Sequence, residues 1–222
     1  MIRQLRRTAV GLVGAGTMLV ALTACAAPSF TYAADKADQA YFKVPSDWPQ
    51  VNPTALSDAQ LDLSKSSAGA AGGTFAWSRA YDSVADPAAT ALLAGSKTPV
   101  VYASVQNLSS SSRAALSFDY MRDLVWPVTS GARQAAAAAG FTLTDFSLIS
   151  SKTITTKGGL RGINELYEFE VGGLPDAFDQ TVLTNGSTTK LYLLMVQCYQ
   201  NCFISHEAQI KTVVNSFTVR GS

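Results

Sequence analysis

Four successive stretches between Phe141 and Gln197 read as β-strands separated by short turn sequences, and the first alternates apolar and polar residues over a long span. Strict alternation of this kind is typical of half-buried β-strands. The first two stretches are separated by a Lys-Gly-Gly turn, and a loop containing Leu174-Pro175 is expected after the second. The last two flank Asn185-Gly186, and Asn-Gly is the strongest short-range signal for a hairpin. The sequence therefore predicts an antiparallel meander of four strands.

Shorter segments on either side of this meander indicate helices and further strands. A strand is predicted at Thr98–Asn107, where β-branched residues are bounded by turn residues. Thr74–Ser83 alternates large and small residues, which is a strand pattern, although a helix fits it nearly as well. Helices are predicted from their apolar spacing and their capping residues at Asp86–Gly95, at Ser117–Val128, at Thr129–Gly140, and after Ser205 as an N-cap. Because an antiparallel sheet needs cover on its buried face, this order predicts an α+β fold in which helices flank the sheet.

The N-terminus has the build of a bacterial export signal. Arg3, Arg6 and Arg7 precede an uncharged, mostly apolar stretch over Thr8–Leu22. The residues Leu22-Thr23-Ala24-Cys25 resemble the lipobox of bacterial lipoproteins, in which the cysteine is lipidated and becomes the first residue of the mature chain. We expect a signal peptide over residues 1–24, general export, and a lipid anchor on Cys25 at the outer face of the cell membrane.

Composition limits the partners of the mature chain. The signal peptide carries three arginines and no acid, so its removal lowers the formal net charge from +1 by three, to −2. A near-neutral chain without basic runs argues against nucleic acid as a partner. Residues 25–40 are small and polar and are expected to form a lipidated, flexible tether. Residues 41–222 are expected to form a single domain.

The chemistry-bearing residues do not form a recognisable catalytic motif. His206 is the only histidine; it lies between Ser205 and Glu207, and we interpret it as a polar residue at a helix start. Acid pairs for glycoside chemistry are set by spatial separation, so any acid is a candidate; candidates include Glu165, Glu168, Glu170, Asp176 and Asp179. The sequence has no metal-binding signature and no phosphate-binding loop, so we expect no metal and no cofactor.

Cys198 and Cys202 could be metal ligands, a redox pair or a structural link. No second cysteine pair accompanies them, and their three-residue spacing differs from the two of thioredoxin-like motifs. If Cys25 is lipidated, these two remain as a pair outside the cytoplasm, where disulfides persist. We therefore predict a Cys198–Cys202 disulfide between the last sheet strand and the C-terminal helix.

Both ends of the domain resemble a known family. The opening "YFKVPSDWP" (Tyr41–Pro49) resembles the entry of PsbP-like domains, and the close "KLYLLMVQCYQNCF…IKTVVNSFTV" resembles their final strand, loop and helix. The order of elements is also similar to that of actinobacterial lipoproteins of LpqN type. The resemblance implies an α/β/α sandwich and a cell-envelope lipoprotein with no established catalytic residues.

Two functions remain open at this point. The first is a non-catalytic binding or assembly module for an apolar or lipidic envelope component, or for another envelope protein. The second is an envelope hydrolase acting on esters or glycans through an unrecognised site. A pocket with apolar walls would favour binding, whereas converging acids or a serine beside His206 would favour hydrolysis.

Overall fold

The computed structural model of the chain describes residues 29–57 and 74–220, without the side chains of residues 93 and 94. The predicted signal peptide and Cys25 lie outside the described residues. Residues 53–57 are helical and form α1.

The centre of the fold is a six-stranded sheet in which every neighbouring pair is antiparallel. Its spatial order is β3-β4-β8-β7-β6-β5. Its strands are β3 (Thr74–Asp82), β4 (Val100–Asn107), β5 (Ser147–Thr155), β6 (Arg161–Val171), β7 (Leu174–Thr184) and β8 (Lys190–Tyr199). Strands β5 to β8 are the predicted four-stranded meander, and β3 and β4 occupy the two predicted upstream strands.

The turn between β6 and β7 is tighter than the sequence suggested. A loop was predicted around Leu174-Pro175, but Leu174 already pairs with Val171 as the first residue of β7. Gly172 and Gly173 make the reversal alone, with φ of 62° and 79°. Two consecutive residues at positive φ are the pattern of a type I′ hairpin turn, which leaves no room for a longer loop.

A second, three-stranded sheet lies at the beginning and end of the chain. It is ordered β1-β2-β9 and consists of β1 (Phe30–Asp35), β2 (Ala40–Pro45) and β9 (Thr218–Val219). Strand β1 corrects the predicted tether over residues 25–40, because it pairs with β2 from Phe30↔Pro45 to Asp35↔Ala40. Ala33 is 4% exposed in the core; its side chain is too small to reveal burial in a sequence pattern.

The helices on the first face of the main sheet are short: α2 (Ala91–Ala94), α3 (Ser110–Ala115), α4 (Phe118–Arg122) and α5 (Ser130–Ala138). Helix α4 ends at Arg122, well short of the helix predicted over Ser117–Val128. The Asp123 carboxylate instead accepts hydrogen bonds from Thr129 N at 2.7 Å and Thr129 Oγ1 at 2.6 Å. Such side-chain bonds to nearby backbone compete with helix continuation.

Two further helices, α6 (Gln200–Ser205) and α7 (Glu207–Ser216), follow β8. Ser205 was predicted as an N-cap, but it is the last residue of α6, and its hydroxyl donates to Asn201 O at 2.7 Å. The extra helix α6 shifts the start of the C-terminal helix to Glu207.

The main sheet is buried on both faces by different elements. Helices α2 to α5 cover the first face, over a cluster that includes Tyr167, Phe169 and Phe178. On the second face, Ile210 and Val213 of α7 share a cluster with residues of β2 and β8. This arrangement confirms the α+β prediction of an antiparallel sheet flanked by helices. Among the described residues, no helix is long and apolar enough to cross a membrane.

Candidate functional site

Glu165 links the sheet to helix α4. The residue is 0% exposed on the first face of β6. Its Oε1 accepts hydrogen bonds from Arg122 Nε at 2.9 Å and from Ser151 Oγ at 2.7 Å. Arg122 also donates to Asp119 Oδ1 at 2.6 Å. The carboxylate is thus held in a charge-assisted bond between two packed elements, and its role there is structural.

A neutral polar network lies beside this ion pair. Gln180 Nε2 donates to Met121 O at 3.1 Å and to Arg122 O at 3.2 Å, at the end of α4. Its Oε1 accepts from the hydroxyl of Tyr167 at 3.1 Å. No sequence motif points to Gln180. Its only sequence signal is that a polar amide side chain occupies a position of β7 that faces the core. Because helix ends leave carbonyl oxygens without partners, this glutamine both caps α4 and holds it to the sheet.

The carboxyl group of Asp176 is buried without a hydrogen-bond partner among the described residues. It is 0% exposed at the start of β7, and in the described part of the chain neither carboxylate oxygen has a hydrogen-bond partner. Burial raises the pKa of the Asp176 carboxyl to about 7, and the nearby amide of Ala177 offsets only part of that rise. The group can therefore carry a proton near neutral pH, but no nucleophile or second acid among the described residues is hydrogen-bonded to it.

A groove of about 220 Å³ opens close to Asp176, although Asp176 does not line it. The groove is bounded by Lys97, Leu174, Pro175, Tyr199, Gln200, Asn201 and Cys202. It places one lysine and two amides beside the cysteine pair.

Glu165 and Asp176, which are both fully buried, do not converge. Asp176 lies opposite Phe169, which is four residues further along β6 than Glu165. At the rise of a strand, this separates Glu165 from Asp176 by roughly 13 Å along the sheet. Glycosidase pairs lie about 5–9.5 Å apart. Asp179 accepts from Asn164 Nδ2 at 2.7 Å, and Glu168 accepts from Gln200 Nε2 at 2.8 Å.

The side chains of Glu168 and Glu170 share a strand face, and both are half-buried. That face is opposite to the one that carries Glu165, so these acids cannot meet it across the sheet.

His206 and its neighbours make separate local contacts. Its Nδ1 lies 3.0 Å from Cys202 O, while the Ser205 hydroxyl donates to Asn201 O. Glu207 pairs with Lys211 at 2.5 Å, one helical turn further on. The three residues thus terminate α6 and begin α7, and the histidine is not aligned with the serine.

Cys198 and Cys202 lie at disulfide distance, with their sulfur atoms 2.15 Å apart. Cys198 is the penultimate residue of β8 and Cys202 lies in α6, so the pair spans the junction between strand and helix. Both are buried, beside Ile210 and Val213 of α7. No group of three or more potential metal ligands occurs within residues 29–57 and 74–220.

An open pocket of about 150 Å³ lies between α3, the start of α4 and one end of the main sheet. Its apolar members are Leu116, Phe118 and Met121, and its polar members are Arg113, Ser117, Arg161, Thr184 and Thr188. Met121 is 3% exposed and forms part of the core, whereas Phe118 is 39% exposed. This pocket, hereafter the arginine pocket, combines an apolar surface with two guanidinium groups.

The fold assembles the arginine pocket from distant parts of the sequence. Arg161 opens β6 and pairs with Thr184 at the end of β7. Arg113 lies in the last turn of α3, and Ser117 caps α4 by accepting from Tyr120 N at 3.0 Å. Neither arginine forms part of a motif, so the sequence analysis missed both. Only the pairing of β6 with β7 and the position of α3 after β4 bring them together.

No protein-family model matches the sequence, and no curated protein matches it. Among solved structures, the chain is similar to the cyanobacterial PsbP protein CyanoP from Synechocystis sp. PCC 6803, with 14% identity, a TM-score of 0.49, and coverage of 91% of this chain and 99% of that one. It is also similar to LpqN of Mycobacterium tuberculosis, described as involved in cell envelope biogenesis, with 14% identity, a TM-score of 0.44, and coverage of 82% and 83%.

A third similar structure is the Ran-binding protein Mog1p of Saccharomyces cerevisiae, with 7% identity, a TM-score of 0.44, and coverage of 86% of this chain and 95% of that one. These values describe a distant likeness in overall fold and nothing more specific.

Proposed function

We propose that this chain is a membrane-anchored lipoprotein of the bacterial cell envelope that binds an apolar or lipidic envelope component without turning it over. The arginine pocket carries this proposal. Leu116 and Phe118 give it an accessible apolar surface, which the buried Met121 adjoins. Ligand sites are typically concave and mostly apolar, with a few polar groups that orient the ligand.

The arrangement of the titratable groups supports binding over hydrolysis. Glu165 is engaged with Arg122 and Ser151, and Asp179 with Asn164. A general base must lie within hydrogen-bond reach of the group it deprotonates, and the Nδ1 atom of His206 is instead directed at Cys202 O.

The anchor belongs to the same proposal. It is supported by the sequence Leu22-Thr23-Ala24-Cys25 after a basic and apolar leader. Diacylation with further acylation would hold the domain stably at the membrane, since each buried methylene contributes about 0.8 kcal/mol. A domain held there meets membrane-derived amphiphiles at high local concentration.

Native mass spectrometry of the full chain, purified in detergent from its own host envelope, tests the binding role. The wild-type protein is expected to carry a reproducible lipid adduct in addition to any mass attached covalently to Cys25. Phe118→Asp, which places a charge on the apolar surface of the pocket, should lose that adduct. Phe75→Asp is the matched control, because Phe75 and Phe118 are similarly exposed, at 41% and 39%.

A wild-type protein without an adduct, or an adduct retained equally in both variants, would remove the support for binding at this pocket. Turnover of an ester or glycan panel that disappears on substitution of His206 or Asp176 would establish the hydrolase alternative instead.

A further inference from the structure

We propose that the arginine pocket selects amphiphiles with an anionic head, which Arg113 and Arg161 bind while the first part of the alkyl chain lies on Leu116, Phe118 and Met121. This inference rests on the proposed binding function and adds the charge of the ligand to it.

The first reason is that the two arginines have no carboxylate partner in the part of the chain that the structure describes. Among the described residues, neither Arg113 nor Arg161 forms a salt bridge, and the guanidinium of Arg113 makes one 3.3 Å contact, from Nη2 to Ser110 Oγ. By contrast, Arg122 binds Asp119 and Glu165, and Lys190 binds Asp38. The positive charge of the pocket is therefore not neutralised by the described part of the protein.

The second reason is that no acidic residue belongs to the eight described residues that line the pocket. Asp119 follows Phe118 directly in sequence, but its carboxylate is bound to Arg122 at 2.6 Å. An anion at the pocket would thus meet two guanidinium groups and no opposing charge from these residues. Guanidinium groups bind carboxylate and phosphate through paired, charge-assisted hydrogen bonds.

Of the three described hydroxyl groups that line the pocket, only one has a proton left to donate to a ligand. The hydroxyl of Thr184 donates to Lys190 O at 2.9 Å, and that of Thr188 donates to Ser187 O at 2.8 Å. Ser117 Oγ accepts from Tyr120 N, which leaves its own proton available. The head group would therefore be held by Arg113, Arg161 and the hydroxyl of Ser117.

The size of the pocket limits how much of the ligand it encloses. A volume of about 150 Å³ is well below the roughly 300 Å³ at which pockets for drug-sized ligands begin. It accommodates a head group and the first few methylenes, and the remaining chain must extend out through the open side. A chain that extends outward is compatible with a ligand whose tail stays in a membrane.

Isothermal titration of the full chain in phosphatidylcholine nanodiscs, with empty nanodiscs as the blank, tests the charge requirement. The probes are octanoate, octyl phosphate and 1-octanol, which share one alkyl chain and differ in the head. Either anion should bind more tightly than the alcohol. Preference for octanoate would indicate a fatty-acid source and preference for octyl phosphate a phospholipid-like source.

The variant R113Q/R161Q should weaken binding of the preferred anion by about tenfold or more, because hydrogen bonds to charged groups contribute about 1.5–3 kcal/mol. The variant K36Q/K97Q removes the same charge from positions outside the pocket and should bind as the wild type does. Thermal unfolding by circular dichroism checks that both variants fold. Independently of any substitution, raising the ionic strength from about 0.01 M to about 1 M should weaken anion binding and leave alcohol binding unchanged.

The outcomes separate the two proposals. If 1-octanol binds as tightly as the anions and the arginine substitutions have no effect, apolar binding stands and the charge selection is wrong. If K36Q/K97Q weakens anion binding as much as R113Q/R161Q, net charge rather than the pocket is responsible, and the inference also fails. If no probe binds the wild type, the pocket is not a ligand site and both proposals fall.

Discussion

Asp176 lies directly opposite Tyr199 across the β7–β8 ladder, and Gly95 packs against both residues. A Cβ atom on Gly95 would come within 3.1 Å of Asp176 Oδ2 and 2.7 Å of Tyr199 Cε1. The backbone at Gly95 therefore closes over the carboxyl group and keeps water away from it. This close packing accounts for a buried acid whose charge is not compensated.

The first prediction concerns pH. The folded protein retains a proton on Asp176 up to about pH 7, whereas the unfolded chain releases it near pH 3.9. Between these two pH values the unfolded chain releases the proton and the folded protein keeps it, so raising the pH favours the unfolded state. The free energy of unfolding is therefore highest below about pH 4 and falls as the pH rises towards 7. Across this pH range the proton on Asp176 changes the free energy of unfolding by about 4 kcal/mol.

Urea unfolding of the wild type and of Asp176→Asn across this pH range measures the effect. The variant should show a much shallower decline and should exceed the wild type in stability at about pH 8. Burial also raises the pKa values of Asp82 and Asp179, so a residual slope of the same sign is expected. The exposed Asp86→Asn serves as control; identical curves for all three proteins would refute the assignment.

The second prediction concerns Gly95. It has a φ of 74°, and a side chain there would collide with Tyr199 and Asp176. Gly95→Ala should lower the free energy of unfolding by about 1–3 kcal/mol through backbone strain and displaced neighbours. Gly131→Ala is the matched control, because Gly131 is helical and a Cβ atom added to it would meet no neighbouring residue within 4 Å.

Gly131→Ala should stabilise the protein by about 0.5–1 kcal/mol, since alanine replaces glycine inside a helix. Equal effects of the two substitutions in thermal unfolding would show that the packing at Gly95 has been misassigned.

The third prediction concerns the polar link between α4 and the sheet. Gln180→Leu removes the donor to Met121 O and Arg122 O and the acceptor of the Tyr167 hydroxyl. Each buried group left without a partner costs about 1–3 kcal/mol, so this variant should be destabilised by more than about 2 kcal/mol. Tyr167→Phe alone should cost about 1 kcal/mol.

The double variant tests the coupling. Because both substitutions disrupt the same network, their effects on the free energy of unfolding should sum to more than the effect of the double variant. Strict additivity would indicate that Gln180 and Tyr167 act independently.

The fourth prediction concerns the cysteine pair. Alkylation of the unreduced, unfolded protein followed by mass analysis should find both Cys198 and Cys202 blocked. Replacing both by serine should destabilise the domain by about 2 kcal/mol, the value expected for so small a loop. Two alkylatable thiols in protein isolated under non-reducing conditions would contradict the structural role proposed for this pair.

The sequence predicted the main sheet well because local signals mark its strands and turns. Alternation in β6, the continuous apolar run Leu191–Val196 in β8 and the Asn185-Gly186 turn are each visible in the sequence. Strand β1 was missed because its buried residues include small Ala33 and polar Asp35, which carry no apolar period. Helix α4 was predicted too long because its end depends on the bonds between Asp123 and Thr129.

The candidate site was harder to predict than the fold. Arg113 and Arg161 line one pocket only because the fold brings α3 near the start of β6, which no local pattern encodes. The buried state of Asp176 depends in the same way on Gly95, a residue far away in sequence. By contrast, the proximity of Cys198 and Cys202 follows from their short spacing and was predictable.

The central claim is that this domain is held at the membrane through Cys25. Mass analysis of the tryptic peptide covering residues 25–36, from membranes of cells that express the full chain, tests it most directly. The account predicts a peptide that begins at Cys25 and carries diacylglycerol, and a Cys25→Ser variant that lacks this modification. An unmodified Cys25, or a chain that retains residues before it in a soluble fraction, would contradict the account.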